Sequence, residues 1–112
     1  MIVRGSTPTH TFPLVYNRND EISPLDTSLV KYISITYSQN NTIMFKKKTS
    51  EFNIIDGIPT AEIKLTQEDT LSLNCKYLVE IQARAFTFGG DVIPSPIYSV
   101  SVGKSLDDEV LS

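Results

Sequence analysis

The stretch Lys31-Tyr32-Ile33-Ser34-Ile35-Thr36-Tyr37-Ser38 decides the fold class, because from Ile33 onward its apolar and polar side chains alternate without a break. Ile33, Ile35 and Tyr37 fall on one face and Ser34, Thr36 and Ser38 on the other, as in a strand that turns one side to a core and the other to water. Directly after it, Gln39-Asn40-Asn41 supplies residues that tolerate the left-handed backbone of a tight turn. Thr42-Ile43-Met44-Phe45-Lys46-Lys47-Lys48 then reads as the returning strand of a hairpin. So short a link makes the pair antiparallel, since a parallel crossover needs a much longer connection.

The same period recurs along the chain. Glu51 to Ile55 reads as a short strand closed by Asp56-Gly57, and Ala61, Ile63 and Leu65 alternate with Glu62 and Lys64, so a second hairpin is expected. Between Tyr77 and Phe86, Val79, Ile81, Ala83 and Ala85 oppose Glu80, Gln82 and Arg84, the pattern of a central strand. Its small alanines point to close approach by an opposite sheet. Gly89-Gly90-Asp91 is a turn signal, and Ile97 to Val102 reads as the strand that returns from it, with Tyr98, Val100 and Val102 on one face. Pro94 and Pro96 cannot donate to a ladder, which places this part at a sheet edge or on a bulge. Thr9 to Tyr16 reads as a first strand broken by Pro13, followed by a polar loop from Asn17 to Asp26. Only Thr66-Gln67-Glu68-Asp69-Thr70 carries helix signals, a capping-box-like start sufficient for one short helical turn near residues 66–71.

About seven short strands with no long helix predict an all-β chain, an immunoglobulin-like β-sandwich of antiparallel strands, with a small barrel as the alternative. The 112 residues suffice for one core and not for two. Residues 1–105 are expected to form a single sandwich domain. Residues 106–112 read as an exposed tail carrying the acids Asp107, Asp108 and Glu109 and the apolar pair Val110 and Leu111.

Composition narrows the function classes. With 40% hydrophobic and 21% charged residues the chain should fold, and its net charge of −3 argues against a nucleic-acid partner, whose phosphates call for an excess of Lys and Arg. The only basic run, Lys46-Lys47-Lys48, reads as a solvated strand end. A single cysteine, Cys75, excludes an internal disulfide and reads as a small buried or half-buried apolar residue. The single histidine, His10, is remote from it in sequence, and no phosphate loop, zinc spacing, nucleophile elbow or calcium loop is present. No catalytic, metal or cofactor residues are therefore assigned, and the chain is expected not to be an enzyme. The opening Met1 to Pro8 lacks the apolar core of a signal peptide and no run is long enough to span a bilayer, so synthesis in the cytoplasm and no membrane partner are expected.

A binding or building role remains. Phe86 and Phe88 lie beside the Gly89-Gly90 turn and offer an apolar platform, although covering the end of the core is the plainer role for them. With Pro94, Pro96 and Tyr98 on the proposed edge, and Val110 and Leu111 in the tail, they make up the candidate partner interface.

Three groups of residues carry a resemblance: Val3 to Phe12, Ile35 to Gln39 with Lys64 to Leu71, and Val79 to Arg84. Together they resemble a family of small proteins encoded by tailed bacteriophages and prophages of low-GC Gram-positive bacteria. The strand order and the closing Ser95 to Val102 segment more loosely resemble the immunoglobulin-like N-terminal domain of phage baseplate upper proteins. The loop from Val15 to Pro24 and the paired prolines depart from that pattern. The resemblance implies a virion component, used in head decoration, neck, tail or baseplate, with other phage structural proteins as partners and a symmetric oligomer on the particle. Docking through edge strands and termini is the mode expected. A host-surface or glycan-binding module is the alternative.

Overall fold

The computed structural model describes residues 1–55 and 59–106, and in them the chain is all-β and sandwich-like. Twelve strands occur among these residues, β1 (Ile2–Val3), β2 (Thr9–Pro13), β3 (Val15–Arg18), β4 (Glu21–Pro24), β5 (Val30–Gln39), β6 (Thr42–Lys48), β7 (Asn53–Ile55), β8 (Thr60–Lys64), β9 (Val79–Thr87), β10 (Val92–Pro94), β11 (Tyr98–Val100) and β12 (Val102–Gly103). One short helix, α1 (Gln67–Leu71), leads from β8 toward β9. The larger sheet has the order β10-β9-β5-β6, with β11 also on β9, and the smaller has the order β2-β8-β7. Four strand positions face three, with a helical turn before the central β9, in a sandwich-like arrangement.

The count exceeds about seven for identifiable reasons. Prolines cut what reads as one strand into pieces: Pro94 and Pro96 separate β10 from β11, and Pro13 closes β2 just before β3. The strand that returns from the Gly89-Gly90 turn therefore begins at Val92 and not at Ile97. Asn17 to Asp26 is no loop: β3 and β4 form an antiparallel ribbon turning at Asn19 and Asp20, both at positive φ. Two more residues, Ile2 and Val3, pair in parallel with Val102 and Gly103, so the sandwich is not wholly antiparallel. A two-residue strand at a chain end is too short to show a period.

The core joins both sheets. Ile33, Ile35 and Tyr37 of β5 and Val79, Ile81 and Ala85 of β9 meet Ala61 and Ile63 of β8 and the adjacent Leu65, all buried. Each fully buried Ile or Leu contributes about 1.5–3 kcal/mol. His10 and Phe12 of β2 reach across the gap to the Tyr37 ring, at 6.3 and 6.5 Å between ring centres. Ala83 and Ala85 share a small cavity with Leu14, Val15 and Leu25, so the foot of the ribbon, more than a strand of the opposite sheet, stands over the alanines.

Local repairs keep the ladders satisfied. Thr49 follows β6 and takes its place beside Ile33, its hydroxyl accepting from Ile33 N at 2.6 Å and donating to Ile33 O at 3.1 Å. At the proline break Ser95 bridges back to β9: its amide donates to Ala83 O at 2.8 Å and its Oγ accepts from Ala83 N at 3.0 Å. Gln82 adds a bond from Nε2 to Ser95 O at 2.9 Å.

Candidate functional site

Alternation on the larger sheet aims Ile33, Ala85 and Ile93 inward, and their neighbours Tyr32, Phe86 and Val92 outward. Tyr32, Phe86 and Val92 are also cross-strand partners, so they form one apolar row over β5, β9 and β10. Within it the Tyr32 and Phe86 rings stack, 5.3 Å apart and inclined by 28°. The next outward row holds Lys48, Ser34, Arg84 and Pro94, and the one after it Lys46, Thr36 and Gln82. Below these a shallow groove of about 400 Å³ runs between Ser38, Ile43, Glu80 and Ile97 and up to Arg84. Arg84 thus stands between an apolar depression and a polar one.

Of the sequence-predicted interface, Phe86 belongs to this face, half-buried by its stack with Tyr32. Phe88 is exposed near it, its amide bonded to Leu29 O at 3.1 Å, and Leu29 is exposed as well. Pro94 is exposed on the edge, and Pro96 is half-buried in the break. Tyr98 is turned elsewhere: it is half-buried, with its ring 6.1 Å from Phe12 in the gap between sheets. Val110 and Leu111 lie outside the described residues. Sequence reasoning missed Tyr32 and Val92, whose apolar character on the polar side of alternating strands was the available signal.

The titratable groups gather inside instead. Lys46 and Lys48 point outward, but Lys47 shares the inner face with Ile35 and pairs with Asp69 of α1 at 2.7 Å, so the basic run is only partly a solvated strand end. Asp69 also closes a capping box with Thr66, accepting from Thr66 N at 3.0 Å while its own amide donates to Thr66 Oγ1 at 3.1 Å. Burial pushes the Asp69 carboxyl up, but the bonds from Lys47 and Thr66 outweigh it and hold the group below the usual carboxylate range. Tyr37, fully buried, is pushed well above its ordinary value by burial first and by the Asp69 charge second. Burial, reinforced by the N-terminal charge, lowers His10, whose Nδ1 lies 3.4 Å from the Tyr37 hydroxyl. The cluster binds β2, β5, β6 and α1 together and opens onto none of the grooves.

Cys75 is exposed, not buried, and the ring contacts of His10 are to Phe12 and Tyr37. Among the described residues no three His, Cys, Asp or Glu gather as a metal ion requires, and no helix is long and apolar enough to cross a membrane. No protein-family model, no curated protein and no solved structure matches this chain.

Proposed function

We propose that this chain is a non-enzymatic structural component of a bacteriophage particle, docking on a larger assembly of head, neck, tail or baseplate proteins. The phage assignment rests on the residues from Val3 to Phe12, Ile35 to Gln39, Lys64 to Leu71 and Val79 to Arg84 that resemble small phage and prophage proteins. The observation that carries a docking role is the open outer face of the larger sheet, where the row Tyr32, Phe86 and Val92 meets water unpaired. A rigid sandwich with such a face suits a repeated building block. Mass spectrometry of purified particles is the test: the chain is expected among the virion proteins in near-stoichiometric amount, and its absence would remove the reading.

The stacked Tyr32 and Phe86 rings favour one second reading, a host-surface or glycan-binding module, because a sugar ring stacks on such a surface. Phe86→Ala with Phe88→Ala, folded by circular dichroism, should then lose binding to host polysaccharide; undiminished binding would exclude this face.

A further inference from the structure

The outer face of the larger sheet is basic on an acidic chain. Among the described residues Lys46, Lys48 and Arg84 project from it against one acid, Glu80, while the chain as a whole carries −3. None of the three is paired with a carboxylate among the described residues. The same molecule carries a ribbon, β3–β4, whose strands pair with each other and, among the described residues, with no other strand. Isolated two-stranded ribbons are marginal in water. This one is held at its foot by the buried Leu14 and Leu25, and its outer part bears Asp20, Glu21 and Ile22, the last 66% exposed. Arg18, paired in register with Glu21, is its one cation. Acids beside an exposed apolar side chain are the complement of cations beside Tyr32, Phe86 and Val92.

The edges of the larger sheet are poor alternatives. β6 carries the lysine run, and the β10–β11 edge is interrupted by Pro94 and Pro96, two devices that blunt strand-to-strand pairing. The foot of the ribbon adjoins Ala85 and Ile93, whose neighbours Phe86 and Val92 belong to the apolar row. Ribbon and receiving face therefore lie at the same end of the molecule, which allows two copies to satisfy each other reciprocally about a two-fold axis.

We propose that this chain forms a two-fold dimer in which the β3–β4 ribbon of each copy lies on the outer sheet face of the other, with Asp20 and Glu21 near Arg84 and Lys46 and Ile22 on the apolar row. A dimer of this kind would occupy the same face that carries the docking role, so the two readings compete for that face, and their tests still separate: a chain absent from particles would still dimerise, and a monomeric one would still be able to dock on a particle.

Sedimentation velocity of the full chain, from micromolar to submillimolar concentration in dilute and in molar salt, tests it. The expected result is a reversible dimer that weakens with salt. Arg84→Glu alone, and Asp20→Lys with Glu21→Lys in a second variant, should each weaken it about tenfold or more, with unchanged circular dichroism. Mixed together, the two variants should form a heterodimer close to wild-type affinity, because each reversed face then meets a reversed ribbon. Ile22→Asp, which leaves the cationic face intact, should also give monomer. Wild-type protein monomeric throughout would overturn the proposal and leave the face to some other partner. So would a dimer indifferent to these substitutions, or a mixture that fails to recover.

Discussion

Gln39 closes β5 with a buried side chain that does the work of a backbone. Its Nε2 donates to Asn74 O at 2.7 Å and Tyr77 O at 3.0 Å, and its Oε1 accepts from Asn74 N at 2.8 Å, so one amide holds the segment leading into β9. Gln39→Leu keeps the volume and strands these groups. The expected loss is about 2–3 kcal/mol, read by urea denaturation. The sequence pattern placed Gln39 in a polar turn, and it could not do otherwise: alternation reports which face a residue takes, whereas these partners lie on a distant segment. His10 was equally opaque, since an imidazole between two sheets leaves no periodic trace. Its folded pKa is lowered from 6.5, so the unfolded chain binds the proton more readily and acid favours unfolding. The stabilisation is complete above the ordinary value and is lost as pH falls through 6.5 toward the lowered one. Between about pH 7 and about pH 5 the melting temperature of the wild type should therefore fall more than that of His10→Gln, measured by differential scanning fluorimetry. Equal slopes would show that the ring titrates normally.

At the scale of elements, the strongly periodic segments were legible almost residue for residue. The hairpin from Lys31 to Lys48, the inward set Ala61, Ile63 and Leu65, the capping box at Thr66 and the central strand ending near Phe86 all stand as read. The ribbon was not legible, because Glu21-Ile22-Ser23-Pro24 has Ile22 as its one aliphatic side chain and leaves it 66% exposed. Its turn chemistry was nonetheless present: Asn19-Asp20 repeats the logic of Asn40-Asn41, two residues at positive φ joining antiparallel strands. That logic makes Asn41→Ala cost about 1 kcal/mol, since at φ 62° both residues carry a Cβ into the left-handed region and only the Asn amide offsets that strain by local polar contacts. Asn41→Gly should be at least as stable as the wild type, and the two variants compared by thermal melts separate backbone strain from any lost side-chain contact.

The whole molecule divides into a sandwich that carries the stability and an appendage that does not. Because the outer part of the ribbon pairs only with itself among the described residues, replacing Asn17 to Ile22 by Asn-Gly, which keeps the core-packed Tyr16 and its partner Ser23, should leave one cooperative unfolding transition, shifted by no more than about 1 kcal/mol. A two-step or strongly lowered melt would show that the ribbon belongs to the core. The candidate interface was only partly readable at this scale, since Phe86 could be found from its strand but its partners Tyr32 and Val92 come from other strands, and pairing register decides which side chains meet.

The parallel pairing of Ile2–Val3 with Val102–Gly103 has a mechanical meaning. Side by side and running the same way, the two strands lead their chain ends off in opposite directions. A pull between those ends slides one strand along the other and loads Ile2 N to Ser101 O and Arg4 N to Gly103 O together, where an antiparallel pair would peel open bond by bond. The sandwich is thus closed by a shear clasp, in which the two bonds share a load between them.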